Sequence, residues 1–197
     1  MNGSGAQNPA AIRVDIALVH YPVVNKNGER IGAAITNLDL HDIARAARTF
    51  GVSTLYVVTP FQDQQALYRE ILEHWLKGYG ARYNTKRRQA LSLVHLCHDL
   101  AELYALAEAK WQQRPLVLAT CARPQDGIFS YELVRERIGR GGSILLLFGT
   151  AWGLAPEVME KADGVLPPIS GPGEYNHLSV RSAAAIVLDR LLGGRER

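Results

Sequence analysis

Apolar residues recur at two spacings that take turns along the chain. Val14 to Val19, Val52 to Val58, Leu116 to Ala119, Ile144 to Phe148 and Gly164 to Pro167 are short runs dense in Val, Ile and Leu, and read as strands. Between them the spacing changes. Leu40, Ile43, Ala44 and Ala47 within Leu40 to Phe50, and Leu67, Ile71, Leu72 and Trp75 within Gln62 to Leu76, recur every three or four positions. That is the period of one helix face. His98 to Gln113, Tyr131 to Ile138 and the short Pro156 to Ala162 also read as helices, and a last helix opens at Tyr175 or Asn176 and runs to about Leu192. Leu91 to Leu93 is a short strand or a linker. Asn37 or Asp39 offers a helix N-cap, Gly51 a helix end, and Asn25 to Gly28 a turn.

Strand and helix alternate throughout, which predicts an α/β protein with a mostly parallel sheet and helices on both faces. The chain shows no internal repeat and no linker, so residues 13–193 are expected to form a single domain. Residues 1–12 are small and polar and are expected to be a disordered end or a cloning remnant, and Gly193 to Arg197 looks similarly frayed.

Composition narrows the setting. Hydrophobic residues make up 47% of the 197, enough for a full core. No apolar run reaches the ~18 residues of a membrane span, and the small, polar start leads us to expect no signal peptide. Cys97 and Cys121 are far apart and form no CxxC, which fits a reducing cytoplasm. His95 and His98 lack a further ligand set, so no metal is expected. The net charge of +3 says little, but Lys77, Arg82, Lys86, Arg87 and Arg88 gather without an acid among them. They are either a solvated loop or a contact to a phosphate backbone, with Lys86, Arg87 and Arg88 the candidate nucleic-acid-binding residues.

The chemistry concentrates after three strands, in Thr120 to Pro124, Gly149 to Leu154 and Ser170 to Ser179. Loops at the carboxyl ends of parallel strands are where such sheets bind ligands. No GxGxxG follows the first strand and no GxxxxGK[ST] occurs, which argues against a dinucleotide site and excludes a P-loop. The loops offer backbone groups, Thr120, Asn176 and Ser179, with Leu118, Phe148, Leu154, Ile169 and Leu178 as walls. Neutral donors and acceptors of this kind read a purine edge. An adenosine, as in S-adenosylmethionine (SAM), suits them better than a polyphosphate.

Phe148-Gly149-Thr150-Ala151-Trp152-Gly153-Leu154, followed by Tyr175-Asn176-His177-Leu178-Ser179-Val180-Arg181-Ser182, resembles motifs two and three of the SPOUT class of RNA methyltransferases. His20 to Val23, Asn25-Lys26 and Thr36 to Arg48 resemble motif one. The likeness spans Val14 to Leu192 and is greatest to a stand-alone bacterial subgroup. It implies a C-terminal deep trefoil knot, a homodimer, SAM as cofactor and tRNA or rRNA as substrate. Carried over by position, it implies cofactor contacts from Leu118, Ala119 and Thr120 in the first loop and from Phe148, Gly149, Gly153 and Leu154 in the second. The third loop would supply Ile169, Gly171, Gly173, Asn176, His177, Leu178 and Ser179. The chain departs from the ribose-methylating branch in two places. Thr150-Ala151-Trp152 stands where that branch has an acid, and Asn176-His177-Leu178-Ser179 replaces its Ser-Leu-Asn core. The acceptor atom and catalytic roles are therefore not carried over.

Methyl transfer from a sulfonium is an in-line displacement in which the protein mainly positions the partners. A general base helps if the acceptor must lose a proton. The start of the helix after Asn37 supplies the catalytic candidates Asp39, His41 and Arg45, the last able to hold a phosphate in a bidentate grip. Asp39 is equally readable as a cap. Trp152 either walls the cofactor or packs beneath the knot. A module that binds RNA or protein without catalysis, and a small-molecule methyltransferase, are the competing readings.

Overall fold

Val14–Val19 forms strand β1, buried along its whole length because both faces are covered. Its side chains alternate as the pleat requires: Ile16 and Leu18 enter one core, Ala17 and Val19 the other. The structure, a computed structural model, describes residues 12–194. The expectation of disorder at residues 1–11 lies outside them, while Ile12 packs against the first core.

After β1 come a small antiparallel hairpin, β2 (Val23–Val24) and β3 (Arg30–Ile31), then α1 (Asn37–Thr49) and β4 (Thr54–Val58). Helices α2 (Gln62–Leu76), α3 (Tyr79–Tyr83) and α4 (Thr85–Leu91) lead to β5 (Val94–Cys97) and α5 (Leu100–Trp111). The rest is β6 (Leu116–Ala119), α6 (Tyr131–Gly139), β7 (Ile144–Gly149), α7 (Pro156–Met159), β8 (Gly164–Val165) and α8 (Val180–Leu192). Six strands pair in the order β5-β4-β1-β7-β6-β8, all parallel. The first core lies under α1, α2, α4, α6 and α8, the second under α5, α7 and the hairpin. This is the expected α/β architecture with helices on both faces.

Four local expectations are corrected. Thr36, not Asn37 or Asp39, caps α1, its hydroxyl accepting from Asp39 N–H. The last helix opens at Val180 behind the cap Ser179, because Pro172 and two glycines keep the preceding segment irregular. The strand expected at Leu91 to Leu93 lies at Val94–Cys97, since Leu91 still belongs to a helix. The basic segment is not a loop: it folds into α3 and α4.

The connection between β6 and α6 has an unusual course. β8 pairs with β6 through Leu118–Gly164 and Ala119–Val165. On its other side Phe129 N–H donates to Val165 O (2.9 Å) and Val165 N–H to Gly127 O (3.1 Å). The chain thus leaves β6, passes around β8 and returns along its far edge. β8 lies inside a loop of its own chain, the enclosure a threaded connection requires. Gly164 has no room for a side chain, because a Cβ there would enter the Phe129 ring.

At the amino end of the sheet the fully buried Asp15 is held by Lys110 Nζ (2.6 Å) and Trp111 Nε1 (2.7 Å). Burial pushes its pKa up, and these two donors offset part of the rise.

Candidate functional site

β7, β6 and β8 are neighbours, so the loops that follow them emerge side by side at one edge of the sheet. Each is fixed by a different device. In the first loop, the N–H and hydroxyl of Thr120 both donate to Leu147 O at 3.0 Å. The second loop folds back on itself at Gly149, where a Cβ would stand 2.6 Å from Leu154 N. Gly153 sits at φ +116 and Ala151 at φ 51, both in left-handed backbone. The hairpin clamps this loop: Trp152 N–H donates to Val24 O (3.1 Å) and Val24 N–H to Gly153 O (3.0 Å). In the third loop, Asn176 Nδ2 donates to Ala122 O at 2.6 Å, tying it to the first.

The predicted cofactor residues therefore come together, with different functions available to each. Leu118, Ala119 and Phe148 have sealed side chains, so what they offer a ligand is main chain. Gly171 and Gly173 have open space where a Cβ would stand. Ile169 is half-buried against the first core, His177 is exposed and meets the Tyr175 ring edge-on at 5.4 Å, and Ser179 is committed to its cap. Apolar surface is left uncovered around this polar cradle: Trp152 is 63% exposed, Tyr175 79% and Leu178 45%. Trp152 thus stands beside the loops rather than beneath them. Neutral main-chain groups bordered by uncovered apolar side chains fit the adenosine of SAM.

Motif one separates into two halves. Helical residues advance by 100°, so Asp39 and Asp42 lie on one flank of α1, and His41 and Arg45 on the other. Asp39 is turned to α8. Its Oδ1 accepts from Arg181 at 2.8 Å and its Oδ2 from the Thr36 hydroxyl at 2.6 Å. Arg181 Nε is 3.5 Å from Asp42 Oδ2. Asp39 is a fastener between the start of α1 and the end of the third loop, with both oxygens engaged. His41 is turned to the other side and buried against Trp75, ring edge to ring face at 5.2 Å. Burial, then the charge of Arg87, lowers its pKa. Arg45 is exposed. The structure therefore brings Asp39 to the loops and leaves His41 in the core between helices.

The three basic candidates also divide. Lys86 and Arg88 are exposed, whereas Arg87 lies over the Trp75 ring at 4.5 Å with its Nε buried. Sequence reasoning passed over Arg181 as a fastener and His20 as a buried group. His20, at the end of β1, is fully buried, and neither ring nitrogen has a hydrogen-bond partner among the described residues. Burial drives its pKa down to about 4, and the charge of Asp39 with the main chain at Ala33 and Ala34 offsets only part of this.

A parallel sheet whose last strand is enclosed by its own chain, with three loops at one edge, has the fold of the SPOUT class of methyltransferases. Within that class the chain belongs to the family described as SAM-dependent RNA methyltransferase, which it matches over residues 13–193. Among curated relatives, a tRNA (guanine-N(1)-)-methyltransferase of Oleidesulfovibrio alaskensis is 49% identical over 90% of this chain but only 41% of its own length. An uncharacterized protein of Aquifex aeolicus is 40% identical over 90% of this chain and 87% of its own. The fold is shared with the SpoU methyltransferase AviRb of Streptomyces viridochromogenes, solved with AdoMet, at TM-score 0.58 and 15% identity over 90% of this chain and 56% of that one. SAM is thus the cofactor of this family.

Proposed function

We propose that this chain transfers a methyl group from SAM to tRNA. The observation that carries the reading is the three-loop cradle, neutral and apolar-rimmed, tied through Asp39 and Arg181 to the helix of motif one. SAM supplies an electrophilic methyl group already activated by its sulfonium. The chain's own residues position the partners. The cradle holds the adenosine, Asn176 keeps the first and third loops together, and Arg45 holds a phosphate of the RNA. Asp39 acts as a positioning residue, since its two oxygens are occupied by Thr36 and Arg181.

The relatives named for guanine-N1 methylation of tRNA support tRNA as substrate. The chain spans about two-fifths of their length, so the remainder of those proteins is large enough to hold an activity of its own. The acceptor atom follows from experiment. Purified protein with tRNA and methyl-labelled SAM, followed by mass spectrometry of the nucleosides, separates N1-methylguanosine from ribose-methylated products. SAM binding and RNA binding without any label in the RNA would establish the non-catalytic binding module instead.

Leu38 is exposed at the start of α1, and Trp152, Tyr175 and Leu178 are exposed at the loops. A second copy of the chain covers this apolar rim in the homodimer we propose. RNA and SAM meet in the cytoplasm, the compartment this reading assigns. Among the described residues no helix is long and apolar enough to cross a membrane.

A further inference from the structure

Helix α3 lies flat on Trp75 because Gly80 is there, a Cβ at that position meeting the Trp75 ring at 2.6 Å. Gly80 and Ala81 are buried against this base. The opposite side of α3 carries Tyr79 and Tyr83, 69% and 76% exposed, with rings stacked at 5.8 Å and 20° between planes. Exposed Arg82 stands between them in sequence, and α4 adds exposed Lys86 and Arg88. α4 is held from beneath by Arg87 over Trp75 and by buried Ala90 and Leu91, and its cap is Asn84. The nearest acids in sequence are Glu73 and Asp99, so nothing acidic interrupts the segment.

We infer that α3 and α4 form a docking platform for unpaired nucleotides of the RNA substrate, with bases stacking on Tyr79 and Tyr83 and phosphates held by Arg82, Lys86 and Arg88. This rests on the RNA reading above and deepens it. Two features favour single-stranded RNA. The outer faces of the tyrosine stack are open to a flat ring, and base–aromatic stacking is indifferent to sequence. The cations alternate with the aromatics, as a strand of alternating bases and phosphates demands. An aromatic pair four residues apart also staples a short helix, but a staple needs only apolar contact, and that difference can be tested. The platform adjoins the site through α1. His41, buried on Trp75, is two residues from Asp39, which holds the third loop.

The test measures binding of a short unstructured RNA, the same RNA as a duplex, and tRNA, with the thermal shift by SAM followed in parallel. Replacing both tyrosines by leucine keeps a helix staple but removes stacking, and is expected to weaken single-strand binding roughly tenfold or more while leaving melting temperature and the SAM shift unchanged. Tyr79→Phe with Tyr83→Phe restores binding to near wild type. Lys86→Gln with Arg88→Gln lowers the slope of log affinity against log salt by roughly 0.7 per charge removed. Leucine variants that bind like wild type, or a duplex held as tightly as the single strand, overturn the platform even if tRNA is methylated. A SAM shift without binding to any RNA overturns the RNA reading itself. Leucine variants that change the sedimentation of the protein alone overturn the platform in favour of a contact between copies.

Discussion

Asp39 and Arg181 stand 142 positions apart in the chain and 2.8 Å apart in the fold. The pair joins motif one to motif three. The carboxylate is nearly buried, its side chain 10% exposed, and Arg181 is 33% exposed. Removing either partner leaves a charge with one hydrogen bond fewer in a half-dry place. Asp39→Ala and Arg181→Ala are each expected to cost about 1.5–3 kcal/mol in urea unfolding and to weaken SAM binding. A double-mutant cycle checks the link, because strictly additive losses would mean the two side chains do not cooperate.

The glycines of the loops are unequal. Gly149→Ala sets a Cβ against main-chain atoms of Gly153 and Leu154, at 2.9 and 2.6 Å, which cannot move aside without opening the turn. It is expected to destabilise the protein by about 1–3 kcal/mol and to abolish the SAM shift. Gly171→Ala and Gly173→Ala meet no atom within 4 Å, so the fold should stay within about 0.5 kcal/mol of wild type. Any fall in SAM affinity in those two reports on ligand contact alone. Calorimetric melting with and without SAM separates the two classes.

His20 predicts an acid-side loss of stability. Its pKa is held near about 4 in the fold, against 6.5 in the unfolded chain. Between these values the unfolded chain binds a proton that the folded chain does not, so stability falls as pH drops from 6.5 to about 4 and levels off below. The loss is on the order of 3 kcal/mol. His20→Gln removes that slope. Urea midpoints measured across this pH range decide it, and parallel curves for variant and wild type would sink the assignment.

Lys110 and Asp15 predict an effect remote from the loops. Lys110→Met takes the ion-pair partner from a fully buried carboxylate, at an expected cost of about 3–5 kcal/mol at neutral pH. The cost shrinks at acid pH, where the carboxyl takes up a proton. Asp15→Asn added to Lys110→Met should recover most of it, with SAM binding unaltered throughout. Chemical unfolding of the three variants tests this, and an unrecovered double variant would point to lost packing by the lysine stem.

Much of the fold was legible because its signals were local. β1, α2 and β6 lie at their expected residues, where apolar period and flanking turns agree. The turn of the second loop was legible too, because Gly149 and Gly153 answer to its steric needs. α3 and α4 were not, since Gly78, Gly80 and Asn84 break any local helical pattern and Trp75, from another helix, holds them in place. His41 read as a candidate base for want of knowing that Trp75 covers it. The function of Arg181 was hidden for the plainest reason. A partner 142 residues away leaves no trace in the spacing of the motif.

The first turns of α1 carry Asp39 on one flank and His41 on the other, a rise of about 3 Å apart along the axis. Filling the cradle and loading the outer helices would therefore act on the same few peptide units. Linkage makes such coupling symmetrical: the factor by which SAM alters affinity for RNA is the factor by which RNA alters affinity for SAM. An order of addition seen in kinetics would then describe which ligand arrives faster, with the thermodynamics of the ternary complex indifferent to the route.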